Sequence, residues 1–266
     1  MKILAFLKRD FWISISYKLP FLIQIIGIIF SLFIFYYVSK LVGSGQNNIL
    51  DRYGGSYFSF LLIGIAFSDF FLTSINSFAE EIRKGQLFGT LEAILVTPLS
   101  VPKILIYSSC YNYIFSSFRF MLYFLFGKIF FDLTFSSINF FLVVIVFMLS
   151  LFSFWGIGMI SATFVIIFKQ SSPLKWLLGS STGLLGGIFY PSDILPSYLQ
   201  YFSNLLPITH SIEALRLILF KGADFYDIKS QVIVLSVFAV LLFSLGLYTF
   251  KIGLKIAKKN GSLLHY

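Results

Sequence analysis

Long apolar runs make up most of the chain, and short segments between them hold most of the charged residues. A helix needs about 20 residues to cross about 30 Å of hydrocarbon. Five runs reach that length, and one run, 176–190, has only 15 residues. The pattern predicts an all-α, polytopic membrane protein in which residues 1–266 form a single transmembrane domain. The six predicted transmembrane helices are 19–38, 57–78, 104–126, 140–167, 176–190 and 230–250.

The short fifth run requires an additional segment to complete its crossing, because 15 residues span only about 22 Å as a helix. The following residues, 191–220, alternate apolar and polar positions at helical spacing between Pro191, Pro196 and Pro207. We therefore predict short re-entrant or outer-face helices over 191–220, before the last span. An ordinary structured loop is the alternative.

The N-terminal segment, residues 1–18, has an amphipathic pattern. Lys2 and Arg9 fall on the side away from the apolar positions. This pattern predicts an interfacial helix that lies along the membrane surface. Its apolar face contains Leu4, Leu7, Phe11 and Ile15.

Composition agrees with a membrane protein, since 58% of the residues are hydrophobic, 12% are charged and the mean hydropathy is +0.90. With the N-terminus inside, thirteen basic residues lie in cytoplasmic segments, six lie in outer segments including Arg216, and Arg119 lies within the membrane. This asymmetry predicts that both termini are cytoplasmic. The net charge of +9 then faces anionic membrane lipids, so it implies no nucleic-acid partner.

Several kinds of chemistry have no support in the sequence. The chain has one cysteine, Cys110, and two histidines, His210 and His265, so we expect no disulfide and no metal site. We also identify no catalytic residues. A phosphate-binding G-x-x-x-x-G-K-[ST] loop is absent from the sequence. Any nucleotide-driven work therefore requires hydrolysis on another polypeptide.

The segment 80–99 is rich in charge and lies between two apolar runs. Gly85 and Gly89 are expected to interrupt the preceding helix, Thr90 can cap a new one, and Pro98 ends it. Glu92 falls in the first turn, where the helix dipole favours an acidic side chain. The apolar residues between Glu92 and Pro98 could enter a groove on a partner. The alternative is a solvated loop that only reverses the chain.

Two sequence blocks resemble the ABC-2 type family of transporter membrane subunits. The first is Gly89-Thr90-Leu91-Glu92 followed by Thr97-Pro98, after an acidic and basic lead-in. The second is Gly186–Pro191, then Leu195-Pro196, Leu206–His210 and Glu213–Arg216. The spacer Gly85–Phe88 is longer than in some relatives, which affects where the cytoplasmic helix starts.

The resemblance implies a membrane subunit of an ATP-driven exporter in a prokaryotic cytoplasmic (inner) membrane. Residues 83–98 would form the coupling helix that docks into a separate ABC ATPase subunit, which would hold the ATP and Mg, with no cofactor on this chain. A second permease copy or a homologue would complete the transporter. The implied coupling residues are Glu81, Arg83, Gly89, Thr90, Leu91, Glu92, Thr97 and Pro98.

The transported substrate stays open, and amphipathic drugs or lipids, lipid-linked glycans and peptides all remain candidates. A membrane-embedded lipid-modifying transferase is the alternative function, and a passive channel is the third. A transferase would require a cluster of acidic, basic or metal-binding side chains at one membrane face, whereas the acidic residues of the outer segments are scattered.

Polar residues form a stripe on each of two predicted spans. The second span has Asp69, Thr73, Asn76 and Glu80, and the third has Ser109, Asn112, Ser116 and Arg119. Charged groups inside the bilayer are costly, so they face protein or water. The stripes could line a translocation path through Asp69, Asn76, Asn112 and Arg119. The alternative, which we favour, is interhelical hydrogen bonding with one ion pair, although Asp69 and Arg119 lie at different depths and would need a helix tilt or a long arginine reach to pair.

Small residues recur every four positions in the fifth span, at Gly179, Gly183 and Gly187. This spacing allows two membrane helices to approach closely. By resemblance the fifth helix lies near a subunit interface, so we predict a dimer contact there. Packing within one subunit is the alternative.

Overall fold

Helices form nearly all of the structure that the computed structural model describes. It describes residues 2–16, 18–42, 56–87, 89, 101–133, 135–136, 138–169 and 173–259. The α-helices in these residues are α1 (Lys2–Ser16), α2 (Lys18–Val42), α3 (Tyr57–Leu87), α4 (Val101–Phe131), α5 (Phe140–Phe168), α6 (Pro173–Leu185), α7 (Ser197–Asn204), α8 (Pro207–Arg216) and α9 (Lys229–Lys259).

Five of these helices, α2, α3, α4, α5 and α9, are long and apolar enough to cross a membrane. They coincide with five of the six predicted spans, and the all-helical prediction is confirmed for the described residues. The predicted span 176–190 coincides with α6, which has 13 residues and ends at Leu185. The chain turns after α6 at Gly187, whose φ of +69° is a left-handed conformation that favours glycine.

Helix α3 is the central helix of the bundle. In its most apolar window 72% of the residues are buried, compared with 11% for α2 and 22% for both α4 and α9. The buried face of α3 is aromatic, and Phe67 and Phe71 both pack against Phe154 of α5. The surrounding helices therefore present most of their apolar side chains outward, as a membrane environment requires.

Helices α5 and α9 are packed with their backbones in contact. A Cβ on Gly246 would lie 2.5 Å from the Gly156 carbonyl oxygen, and a Cβ on Gly253 would lie 2.7 Å from the Thr163 side chain. The contact positions increase along both helices, so α5 and α9 run parallel. The chain between Phe168 and Lys229 must therefore return along the bundle before α9 begins.

The returning segment runs beside α3 in the opposite direction. Gly179 of α6 lies near Leu72, and Ile188 in the following turn lies near Gly64. Within the predicted region 191–220 there is a short 3₁₀ turn at Ser192–Ile194, then α7 and α8. Helix α8 continues as one π-helical segment, Leu217–Lys221, which ends at Gly222 with φ +67°.

The prediction that Gly85 interrupts the second span is wrong, because α3 continues through Gly85 to Leu87. Gly85 is buried and lines a cavity beside α1, so packing holds it in helical conformation. The chain turns at Gly89 instead, with φ +64°. Residues 83–87 of the predicted coupling helix are thus the end of α3, and its residues 90–98 lie outside the described residues.

Candidate transport site and coupling segment

Asp69 and Arg119 form an ion pair between α3 and α4. The Arg119 Nη2 atom lies 3.1 Å from Asp69 Oδ2 and donates a hydrogen bond of 2.8 Å to Thr73 Oγ1. The Asp69 side chain is 32% exposed and the Arg119 side chain is 17% exposed. A partner of opposite charge reduces the cost of placing each group in the apolar bundle. The structure therefore contains the ion pair that the polar stripes on these two helices suggested.

A polar cavity of ≈ 250 Å³ lies between α2, α3 and α4, and we call it the polar cavity. It brings together three of the four predicted path residues: Asn76, Asn112 and Arg119. Asp69 does not line the cavity itself, but it forms an ion pair with Arg119, which does. The cavity is lined by Gln24, Leu72, Thr73, Asn76, Ser77, Glu80, Asn112, Phe115 and Arg119.

Tyr113 belongs to neither of the two predicted polar stripes, although it adjoins Asn112 in the sequence. Its hydroxyl accepts a hydrogen bond of 2.7 Å from Ser77 and donates one of 3.2 Å to the Ser74 carbonyl. These bonds join α3 and α4 at the level of the polar cavity. A tyrosine hydroxyl in an apolar helix requires a partner, and this requirement is the signal that could have identified it.

A second cavity, of ≈ 450 Å³, joins α1 to the last turns of α3, and we call it the charged cavity. Arg9 Nε donates to Asp10 Oδ1 at 2.7 Å, and Lys84 Nζ lies 3.2 Å from Glu81 Oε1. The hydrogen bond to Asp10 raises the pKa of Arg9 despite partial burial, and the charges of Asp10 and Glu81 act in the same direction. The N-terminal helix is thus electrostatically attracted to the end of α3.

Only three of the predicted coupling residues belong to the described part of the chain. Glu81 lines the charged cavity, Arg83 lies in the last turns of α3, and Gly89 forms the turn that follows. The others lie outside the described residues, and their roles stay predictions. They are Thr90, Leu91, Glu92, Thr97 and Pro98.

Arg216 of α8 holds the turn after α6 against α3. It donates hydrogen bonds to the carbonyls of Gly187 at 2.7 Å, Ile188 at 3.1 Å and Phe60 at 2.9 Å. Charge counting places Arg216 in an outer segment, whereas the structure buries its side chain. Gly64 permits this close approach, because a Cβ there would lie 2.6 Å from the Ile188 carbonyl oxygen.

The three glycines predicted as a dimer contact do not share one environment. A Cβ on Gly179 or Gly183 would meet its nearest atoms at ordinary distances, 3.6 Å from Leu72 and 3.8 Å from Phe189. Gly187 is buried in the turn that Arg216 holds and lies outside α6. The predicted dimer contact at Gly179 and Gly183 stays a prediction, since the neighbours of both residues in the structure belong to the same subunit.

Comparison with known proteins identifies the family. The family model for the ABC-2 type transporter matches residues 1–220. A relative, the linearmycin resistance permease protein LnrN of Bacillus subtilis (strain 168), is 30% identical over 105 residues. That match covers 40% of this chain and 27% of the relative, so the chain spans about a quarter of the relative's length. With a family match over most of its length and five helices that are long and apolar enough to cross a membrane, the chain belongs to the ABC-2 type transporter family.

Proposed function

We propose that this chain is the membrane-spanning permease subunit of an ATP-driven exporter, with ATP and Mg bound by a separate ATPase subunit. Family membership supports a transport subunit rather than an enzyme. Among the described residues, no observation favours a membrane-embedded transferase. The permease would form the substrate path and transmit motion from the ATPase.

The observation that carries this proposal is the continuity of α3. This one helix contributes Asn76 and Glu80 to the polar cavity, and Glu81 and Lys84 to the charged cavity. It ends at Leu87, directly before the segment that matches the coupling motif. A force applied to that segment would therefore reach the polar cavity through an unbroken helix.

Six crossings, with both termini in the cytoplasm of a prokaryotic cell, are the topology that we propose. The parallel packing of α5 and α9 supports this count, since the chain between them has to return across the membrane. Helix α6 provides about 20 Å of that distance, and the turn held by Arg216 continues it. The excess of basic residues in the proposed cytoplasmic segments supports the orientation.

The substrate that we propose is an amphipathic compound that dissolves in the membrane. The relative is named a linearmycin resistance permease. Here a small polar cavity lies inside an otherwise apolar bundle, which suits a molecule with a modest polar group and a larger apolar part. A lipid-linked glycan is less well matched, because a carbohydrate headgroup of several sugars is bulky compared with a cavity of ≈ 250 Å³.

A second permease copy, or a homologue, would complete the transporter along the exposed side of α6. Trp176 and Leu184 are 76% and 55% exposed on this helix. A Cβ on Gly179 or Gly183 would make only ordinary van der Waals contacts within the subunit, with Leu72 and Phe189. Small residues combined with exposed apolar side chains suit helix packing in a membrane.

Co-expression with the cognate ATPase tests the coupling role. The purified chain alone should hydrolyse no ATP, whereas the complex should export an amphipathic dye in an ATP-dependent manner. Leu91→Asp would place an unpaired charge in the ATPase groove and should abolish complex formation. Glu92→Ala should weaken complex formation, but less than Leu91→Asp does. Tyr226→Asp, at an 86% exposed position in another loop, is the matched control and should behave as wild type.

A normal yield of complex with Leu91→Asp would contradict docking through residues 90–98. Helix α1 would then become the candidate contact, since it lies against the end of α3.

A further inference from the structure

A groove of ≈ 650 Å³ opens on the surface of the bundle between α1, α2 and α4, and we call it the membrane-facing groove. Its volume lies in the range of sites for small molecules. Lys18 lies at the start of α2, and the other lining side chains are almost all apolar. They include Phe11, Phe21, Ile114, Phe115 and Phe118.

Phe115 lines both the membrane-facing groove and the polar cavity. Its ring stacks on Tyr111 with centroids 6.0 Å apart, and lies 6.0 Å from the ring of Phe21. The guanidinium carbon of Arg119 lies 5.8 Å from the centroid of Phe115. One aromatic side chain therefore borders both an apolar compartment and a polar one.

The polar cavity has hydrogen-bonding capacity that the protein does not use. The Arg119 side chain is 17% exposed, so part of it is accessible from the cavity that it lines, whereas its Nε atom is buried and lacks an acceptor among the described residues. An oxygen atom of a ligand would accept a hydrogen bond from the accessible part of the guanidinium group. Asn76 and Asn112 line the same cavity and supply further amide groups.

We propose that the membrane-facing groove and the polar cavity together form one binding site for an amphipathic cargo that enters from the adjacent leaflet. The apolar chain of the cargo lies in the groove, and its oxygen-bearing headgroup contacts Arg119 and Asn112. Phe115 is the partition that the cargo displaces. This inference rests on the proposed export function and specifies where, within one subunit, the substrate binds.

A structural phospholipid explains this arrangement less well. Its acyl chain could occupy the groove, but its headgroup would stay at the membrane surface near Lys18. It would leave the polar cavity beyond Phe115 unused. Only a molecule whose polar group follows its apolar chain into the bundle makes use of both compartments.

Photolabelling of the full chain in nanodiscs tests the proposal without ATP or an ATPase. The probe is a monoacylglycerol with a diazirine in its acyl chain, and a diazirine-bearing phosphatidylglycerol is the comparison probe. We expect saturable monoacylglycerol adducts in the stretch from Tyr111 to Arg119. Asn112→Leu removes a polar partner at similar volume and should raise the half-saturating concentration about threefold to tenfold. Asn112→Gln keeps an amide group, so its half-saturating concentration should lie between those of the wild type and Asn112→Leu.

Phe115→Trp enlarges the partition and should lower labelling similarly. Ile129→Trp is the control in the same helix, at a position that is 60% exposed and lines neither compartment, and it should leave labelling unchanged. Phosphatidylglycerol labelling should not respond to Asn112→Leu.

Two results would overturn the proposal. One is wild-type labelling in Asn112→Leu, and the other is an identical response of both probes, which would identify the groove as a site for ordinary membrane lipid. Either result leaves the exporter assignment intact, because transport is measured separately with the ATPase complex. Conversely, labelling as expected with no ATP-dependent export would reject the exporter assignment and retain the binding site.

Discussion

Arg216 is a charged side chain with only 2% of its surface exposed. Burial of a charge is costly unless hydrogen bonds replace its water. Here three backbone carbonyls accept hydrogen bonds, and the guanidinium carbon lies 3.3 Å from the centre of the Phe60 ring. These contacts fix the turn after α6 to α3, together with a hydrogen bond from the Tyr57 hydroxyl to the Phe189 carbonyl.

Arg216→Gln is expected to lower the free energy of unfolding by about 3 kcal/mol, because carbonyls in the interior lose charged donors. Thermal unfolding of the purified chain in detergent measures the change. Lys221→Gln, at an exposed position a few residues further on, should leave the melting temperature near the wild-type value. An equal melting temperature for both variants would contradict the role given to Arg216.

The Asp69–Arg119 pair can be tested with single and double substitutions. Asp69→Leu leaves the Arg119 charge without its partner in the apolar bundle and should destabilise the protein strongly. Asp69→Leu/Arg119→Met removes both charges and should recover most of the yield of folded protein. If the double variant folds but exports nothing, the ion pair is also required for transport along the proposed substrate path. A fully stable Asp69→Leu variant would argue against the pairing.

At the element scale, the glycines that bring helices into backbone contact are those of α5 and α9. A Cβ on Gly156 would overlap the carbonyl group of Leu242. The sequence drew attention to Gly179 and Gly183 instead, because they repeat every four residues. Gly156 and Gly246 are distant in sequence, so no local periodicity identifies them as partners.

Gly156→Ala should therefore destabilise the bundle by about 3 kcal/mol through overpacking against α9. Gly27→Ala in α2, where a Cβ would have no neighbour within 4 Å among the described residues, is the matched control and should have little effect. Chemical or thermal unfolding in detergent distinguishes them. If the two substitutions have the same effect, α5 and α9 cannot be in backbone contact.

Gly183→Leu tests the proposed subunit contact on α6. A Cβ at this position would lie 3.8 Å from the Phe189 ring, which is an ordinary contact and no clash, so the variant should keep its unfolding temperature and be inserted normally. Self-association should weaken, because the new side chain would separate two helices at a close contact. Single-molecule photobleaching or dimer dissociation in nanodiscs measures this. Undiminished association would assign this face to packing within one subunit.

Hydrophobic runs predicted the long helices well, since length and apolarity alone determine whether a helix suits the bilayer. Helix boundaries were less predictable. Gly85 has a low helix propensity, yet burial beside α1 keeps it helical, which only the packed structure shows. The end of α6 likewise depends on Arg216, which lies about 30 residues later in the sequence.

At the scale of the whole molecule, the orientation can be tested by cysteine labelling in a Cys110→Ser background. Tyr226→Cys and Leu87→Cys are both at exposed positions, 86% and 57% respectively. Because basic residues are retained in the cytoplasm, Tyr226→Cys should react with an impermeant maleimide in intact cells. Leu87→Cys should react only after lysis. The reverse pattern would place the proposed coupling segment outside the cell.

The candidate site was only partly predictable from the sequence. Helical periodicity placed Asn76, Asn112 and Arg119 on polar stripes, and the structure brings these three residues to one cavity. Gln24 and Phe115 were missed because they belong to no stripe, and their position depends on how α2 packs against α3 and α4. Periodicity shows which residues share a face, but not which third helix covers it.

The unbroken course of α3 has a mechanical consequence. Its 31 residues form a rod about 46 Å long. Near one end the Phe60 carbonyl is held by Arg216, and near the other end Glu81 lines the charged cavity. A push at Leu87 would therefore be carried along α3 to the turn that Arg216 holds, at the far end of the helix. In the proposed exporter, movement of the coupling segment would in this way reach both membrane faces through one helix.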